Sequence, residues 1–145
     1  MMGDLEMKLV IGLHRNVLEL DRQTARLALK ERLTLGQFAV LEALYSKGDQ
    51  SISAVRERIL SSVGTISVIV KNLERRGLIQ RLSDENDRRV CLISLTREGY
   101  EVISRIVPDN KQMIEHYFSV LTAEEKQEMK RLMRKIGGVD DGAQN

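Results

Sequence analysis

Apolar residues recur along most of the chain at spacings of three, four and seven, the period of amphipathic helices. Leu5, Leu9, Leu13, Leu20 and Leu27 form the first series, and Val10, Ile11, Val17 and Leu18 widen it beyond one stripe. This predicts one long helix with two faces to bury, one of them against a second subunit or a distant part of the chain. Thr34-Leu35-Gly36-Gln37 has the spacing of a capping box, in which a hydroxyl and an amide satisfy the free N–H groups of a helix start. Phe38, Leu41, Leu44 and Tyr45 follow at helical spacing, and Gly48 is placed to end that helix in a left-handed conformation.

From Ser51 the pattern shortens. Ile52, Val55 and Ile59 predict a helix of about two turns, interrupted at Leu60-Ser61-Ser62. A second helix is expected from Ser62 or Val63 to Arg76, with Ile66, Ile69, Val70 and Leu73 turned inward and Gly77 as its stop. Two short helices joined by a tight turn make a helix-turn-helix. Residues 78–82 and 90–95 are apolar and rich in β-branched side chains, and they flank the polar stretch Ser83-Asp84-Glu85-Asn86-Asp87-Arg88-Arg89, which predicts a β-hairpin with a charged tip. Thr96-Arg97-Glu98-Gly99 opens another helix, with Val102, Ile106, Ile114 and Phe118 as its inward positions. Pro108 lies inside it and predicts a kink or a break. Thr122-Ala123-Glu124-Glu125 repeats the capping box, and Met129, Leu132, Met133 and Ile136 stripe a last helix closed by Gly137-Gly138, with a frayed tail from Val139.

Composition narrows the class. With 42% hydrophobic and 30% charged residues over 145 positions, the chain can bury a real core in one or at most two small domains, and disorder is excluded. Aromatic residues at 3% and a single proline favour helices over a sandwich or barrel. Asp4 and Glu6 interrupt the apolar start, and no apolar run approaches the roughly 18 residues of a membrane span, so a soluble, unsecreted, cytoplasmic chain with no membrane partner is expected. Cys91 stands alone, which excludes an internal disulfide and a Cys-rich metal site. His14 and His116 are the only histidines; no nucleophile pairs with a base at usable spacing, and no Gly-rich phosphate loop follows a strand. An enzyme is excluded on these grounds, and no catalytic residue, metal or cofactor is expected.

Charge is distributed unevenly. Residues 51–89 carry eight Lys and Arg against five Asp and Glu, a net +3, whereas the remainder carries 15 against 16. Such a concentration fits either a module that meets a polyanion or a solvated basic face. The pattern of the second short helix favours the first. With its four apolar residues inward, the opposite face presents Gly64, Val68, Lys71, Asn72 and Arg75, flanked by Thr65 and Ser67. Small and polar residues precede the cations, the order a helix needs to approach base edges with its N-terminus and reach phosphates farther on. Ser61, Ser62 and the free N–H groups of the helix start can hold a phosphate oxygen. Val68 can contact a thymine methyl or pack against the hairpin. At the hairpin tip, Asp84 and Asp87 can aim Arg88 and Arg89 through charge-assisted hydrogen bonds, and an aimed arginine suits a narrow minor groove. Ordinary surface ion pairs are the alternative there.

The succession of two helices, residues 51–60, residues 61–77, a hairpin and Asp87-Arg88-Arg89 followed by Leu95-Thr96 and Gly99 resembles the winged helix-turn-helix regulators of the MarR family, as does Leu73-Glu74-Arg75-Arg76-Gly77-Leu78-Ile79 at the end of the recognition helix. The resemblance covers nearly the whole chain. It implies a mainly α fold, with a small β-hairpin wing and N- and C-terminal dimerisation helices. The expected divisions are an N-terminal dimerisation helix at 1–33, a DNA-binding domain at 34–100, C-terminal dimerisation helices at 101–137 and a tail at 138–145. It further implies that Thr65, Ser67, Val68, Lys71 and Asn72 lie in or beside the major groove, and that Arg89 enters the minor groove oriented by Asp87. Val68 and Gly64 depart from the common pattern, which bears on base preference. The implied function is a homodimeric regulator of transcription, a repressor that binds a pseudo-palindromic operator in double-stranded DNA and is released by a small-molecule effector. The effector and its pocket are not identified by sequence; His14 and Arg15 on the first helix are candidates, although a lone histidine on an apolar helix is more often a structural residue. Members that sense peroxide carry a cysteine near the start of the first helix, which this chain lacks, and Cys91 reads as a small buried hydrophobe. Because fold does not fix function, a winged-helix module that binds proteins rather than DNA is the alternative.

Overall fold

A computed structural model describes residues 3–59, 65–83, 86, 89 and 91–137. It is mainly helical with one small antiparallel sheet. The chain divides into two compact units, Met1–Lys111 and Gln112–Asn145.

In the first unit, helix α1 spans Gly3–Leu29. Its C-terminal half packs on the rest of the unit, burying Thr24 and Ala28, and Thr24 Oγ1 donates to Asn110 Oδ1 at 2.9 Å. The apolar residues of its N-terminal half, including Leu5, Leu9, Val10, Leu13 and Val17, remain exposed. Helix α2, Leu35–Lys47, starts with the expected capping box: Thr34 Oγ1 accepts from Gln37 N–H at 3.1 Å, and Gln37 Oε1 accepts from Thr34 N–H at 3.0 Å. Phe38, Leu41 and Leu44 are buried. Tyr45 instead lies at the surface beside Tyr100, with ring centroids 5.5 Å apart. Gly48 has the positive φ expected of it, 78°, but its ψ of −162° is not that of a left-handed helix.

Strand β1, Gln50–Ser51, follows at once and leads into helix α3, Ile52–Arg58, which Ser51 caps by accepting from Ala54 N–H. Helix α4 spans Ile66–Arg75, later than the periodicity predicts, because Thr65 takes the extended N-cap conformation that a β-branched hydroxyl residue favours. Ile66, Ile69, Val70 and Leu73 are all buried, as their spacing predicts. Gly77, at φ 74°, closes α4 in a Schellman motif in which Gly77 N–H bonds to Glu74 O and Leu78 N–H to Leu73 O, each at 3.0 Å.

Strands β2, Ile79–Ser83, and β3, Cys91–Leu95, form the expected hairpin, with Ile79 opposite Leu95 and Ser83 opposite Cys91. The sheet has a third strand that the apolar pattern does not announce: β1 pairs with the far edge of β3, Gln50 opposite Ile93, giving the order β1-β3-β2. Thr96 ends the wing and opens helix α5, Arg97–Tyr117, its Oγ1 accepting from Gly99 N–H at 3.0 Å. Ile103 and Ile106 are its buried apolar positions. Of the expected inward positions Ile106 is buried and Val102 half-buried against the core, with Ile103 fully buried beside it, while Ile114, in the second unit, is exposed. The helix runs through Pro108 without a break. The core of this unit joins α1, α2, α3, α4, the sheet and α5 through Leu41, Val55, Leu73, Ile79, Ile93 and Ile103.

The second unit contains the end of α5, a 3₁₀ turn at Phe118–Val120 and helix α6, Ala123–Gly137. The second capping box forms: Thr122 Oγ1 accepts from Glu125 N–H at 3.1 Å, and Glu125 Oε1 from Thr122 N–H at 2.9 Å. Leu132, Met133 and Ile136 on α6 are exposed. Among the described residues no helix is long and apolar enough to cross a membrane.

Candidate nucleic-acid interface

The four buried residues of α4 fix its rotation about its own axis, and the exposed face follows from that. Thr65, Ser67, Val68, Lys71 and Arg75 lie on it, with Asn72 half-buried at its border. Val68 is 55% exposed. An exposed valine among hydroxyls and cations offers methyl groups of the kind that can contact a thymine methyl. Thr65, exposed at the N-terminal end of α4, makes no side-chain cap bond. Ser61 and Ser62, expected at this end, lie outside the described residues.

Not every cation of the basic segment belongs to this face. Arg81, exposed on β2, donates through Nε to both carboxylate oxygens of Glu74, at 3.2 and 3.1 Å. That hydrogen bond holds the Arg81 guanidinium above its ordinary pKa and ties the wing to α4. Cys91 neighbours the same guanidinium and is half-buried rather than buried. Arg76 also turns away, toward the end of α1. Counting charges along the sequence does not separate these two from Lys71 and Arg75, because the carboxylate and carbonyl partners come from elsewhere in the fold.

At the wing tip, Arg89 is exposed. Asp87 and Arg88, the expected orienting acid and second tip cation, lie outside the described residues. The base of the wing is tied to the end of the recognition helix: Thr96 N–H donates to Leu78 O at 3.1 Å and Thr96 Oγ1 to Gly77 O at 2.6 Å. His14 and Arg15 lie exposed on α1, and the described contacts give neither a ligand to hold.

The arrangement can present a helix N-terminus and a cationic face to a groove, with an arginine-bearing hairpin at one side. The model of the MarR family matches residues 33–91, from the start of α2 to the first residue of β3. The chain is similar to the HTH-type transcriptional regulator MhqR of Bacillus subtilis (strain 168), with 32% identity over 136 residues that make up 94% of each chain. It is also similar to the PcaV transcriptional regulator from Streptomyces coelicolor, solved in complex with its natural ligand, at 29% identity and a TM-score of 0.69 over 90% of each chain. The S. aureus MepR–DNA complex shares the fold, with a TM-score of 0.78 at 23% identity, over 89% of this chain and 96% of that one.

Proposed function

The chain belongs to the MarR family, and from that premise we propose that it is a homodimeric, sequence-specific DNA-binding regulator of transcription that works in the cytoplasm as a repressor released by a small molecule. The observation that carries this reading is the division of α4 into a buried apolar face and an exposed face of hydroxyls, Val68 and cations. Thr65, Ser67 and Val68 meet base edges in the major groove; Lys71, Asn72 and Arg75 reach the groove wall and phosphates; Ser61 and Ser62 hold a phosphate; Arg89 enters the minor groove, aimed by Asp87, and Arg88 adds a second basic contact at the wing tip. Residues 34–100 form the DNA-binding module, and 1–33 and 101–137 the dimerisation helices.

The exposed apolar half of α1 supports the dimer, since a stripe of this length left in water is costly and a second copy covers it with the same surface. Two copies related by a twofold axis place two α4 helices about one helical turn, roughly 10 bp, apart on a pseudo-palindromic site. An effector releases DNA only by binding one spacing of the two helices more tightly than the other. The ligand-bound structure of PcaV supports a small molecule in that role. The named relatives are regulators rather than enzymes, and no catalytic role is proposed.

The test is random-site selection, then fluorescence anisotropy on the selected duplex and a scrambled one across a salt series, with wild type and Arg89→Ala. Preference for the selected duplex by about a thousandfold, a steep salt dependence and a loss in the variant are expected. Absence of binding at low salt would remove the reading and favour a protein-binding module.

A further inference from the structure

Two helix ends meet at Arg76, and both are closed in the same way. At the end of α1, Arg32 N–H bonds to Leu29 O at 2.9 Å and Leu33 N–H to Ala28 O at 3.0 Å, with Arg32 in the left-handed region at φ 58°. This is the Schellman closure seen again at Gly77, with arginine in the position glycine usually takes. Such a closure leaves the carbonyls at and just beyond the cap without helix amides to receive. Arg76 supplies the donors: Nη1 to Arg32 O at 2.8 Å and to Gln37 Oε1 at 3.4 Å, and Nη2 to Glu31 O at 3.3 Å. Arg76 is itself the C-cap of α4. Its backbone thus closes α4 while its cation stands at the electronegative end of α1, where a positive charge is stabilised. From the other side, Arg105 of α5 donates to the Glu31 carboxylate through Nε at 2.8 Å and Nη2 at 3.2 Å. The two-residue turn Glu31-Arg32 thus receives one arginine from the recognition helix and one from α5.

Resting on the reading of α4 as the DNA-contacting helix, we propose that Arg76 is a positioning residue that fixes the direction of α4 against α1 and α5. Both terminal nitrogens of its guanidinium are engaged by carbonyl oxygens, so its charge serves the fold and not the phosphates. Through the Glu31-Arg32 turn, which Arg76 and Arg105 both hold, a movement of α1 or α5 is passed to the recognition helix, and the spacing of the two recognition helices in a dimer is set by that linkage. Arg75, one residue earlier, is exposed and leaves the 31–32 turn to Arg76, so on this reading it belongs to the DNA face.

The deciding experiment reads geometry without DNA. In the full chain carrying Cys91→Ser, spin labels at Arg22→Cys and Ser67→Cys report the α1–α4 distance by pulsed electron paramagnetic resonance, with labelled chains diluted into excess unlabelled protein so that only distances within one chain are seen. One narrow distance is expected with Arg76 present. Arg76→Ala should widen the distribution about twofold while far-UV circular dichroism and unfolding cooperativity are retained, and Arg76→Lys, which reaches one carbonyl, should lie between. If the alanine variant does not fold, Arg76→Gln, with one amide donor, repeats the comparison. An unchanged width overturns the proposal. A second arm uses selected operators lengthened by one base pair between half-sites: wild type should lose about tenfold or more in affinity and Arg76→Ala only about threefold or less, with the same salt dependence. A salt slope lowered by about one with spacing discrimination intact would make Arg76 a phosphate contact and also overturn the proposal. Failure of wild type to bind any duplex specifically would count against the DNA-binding reading, while the distance measurement still decides the role of Arg76.

Discussion

Gly99, in the first turn of α5, lies so close to the carbonyl group of Leu78 that a β-carbon there would overlap the Leu78 oxygen. The approach is enforced by Thr96, whose backbone and hydroxyl hold the carbonyls of Leu78 and Gly77 while its Oγ1 caps the Gly99 N–H. Wing, recognition helix and α5 are joined at this point.

Gly99→Ala should therefore destabilise the fold although alanine is the better helix former. The propensity gain is about 1 kcal/mol, whereas overpacking against backbone costs about 1–3 kcal/mol or more, because neither partner is the flexible end of a side chain. A net loss of roughly 2 kcal/mol in urea unfolding is expected. A variant as stable as wild type would show that α5 does not approach Leu78 in this way.

Arg32 occupies a left-handed conformation that costs a side-chain-bearing residue about 1–2 kcal/mol. Arg32→Gly relieves that cost and adds back some unfolded-chain entropy. The Arg32 carbonyl that Arg76 uses is retained. An increase in stability of roughly 0.5 kcal/mol is expected in chemical unfolding, and a decrease would mean that the Arg32 side chain holds something the backbone account omits.

The rotation of α4 was legible in the sequence because four apolar residues at three- and four-residue spacing leave only one way to turn the helix, and both threonine capping boxes were legible because their partners lie three residues away. Other features depend on partners distant in sequence. Strand β1 is two polar residues, Gln50 and Ser51, whose strand character comes only from β3 beside them. Arg76 and Arg81 read as members of a basic patch until Glu31, Arg32 and Glu74 are brought to them. On α5 the expected Ile106 is buried and Val102 half-buried, but the adjacent, equally apolar Ile103 is the deepest position, and periodicity alone does not choose between Val102 and Ile103.

Val68 and Lys71 should separate base reading from phosphate binding. Lys71→Ala is expected to weaken binding to every duplex by about 1–3 kcal/mol and to lower the salt slope by about one. Val68→Ala should leave the salt slope unchanged and reduce the preference for the selected operator over single-base variants by about 1 kcal/mol. Anisotropy titrations at several salt concentrations measure both. A Val68→Ala protein with unaltered preference would remove this residue from the base-reading set.

Glu31 gives a pH dependence of known sign. The hydrogen bond from Arg105 is the main reason its carboxyl is held below the ordinary value of 4.5, and the nearby charge adds to it. A carboxyl lowered in the folded state stabilises above its unfolded value and loses that contribution as pH falls through the folded value. The stability difference between wild type and Glu31→Gln should therefore be constant near neutral pH and shrink below about 4.5, in thermal melts taken at successive pH values. The Arg105 side chain is 55% exposed, so water screens the pair and the difference should be small. A gap that widens in acid would mean Glu31 is not held ionised by Arg105.

The exposed half of α1 makes the last prediction, because it joins assembly to DNA binding. Leu9 and Leu13 lie one turn apart and are 58% and 49% exposed, so a carboxylate at either position costs the isolated chain little. Placed in an apolar interface between two copies, the same carboxylate is buried without a partner, which is strongly unfavourable. Leu13→Glu should therefore shift sedimentation from dimer to monomer at micromolar concentration while leaving the far-UV helical signal nearly intact. The monomer keeps its α4 face and its salt-dependent attraction to DNA, yet it should lose most of the preference for the two-half-site operator, since each half-site then binds alone. A Leu13→Glu protein that remains dimeric would place the contact between copies on another surface, and a monomer with full operator preference would separate recognition from pairing altogether.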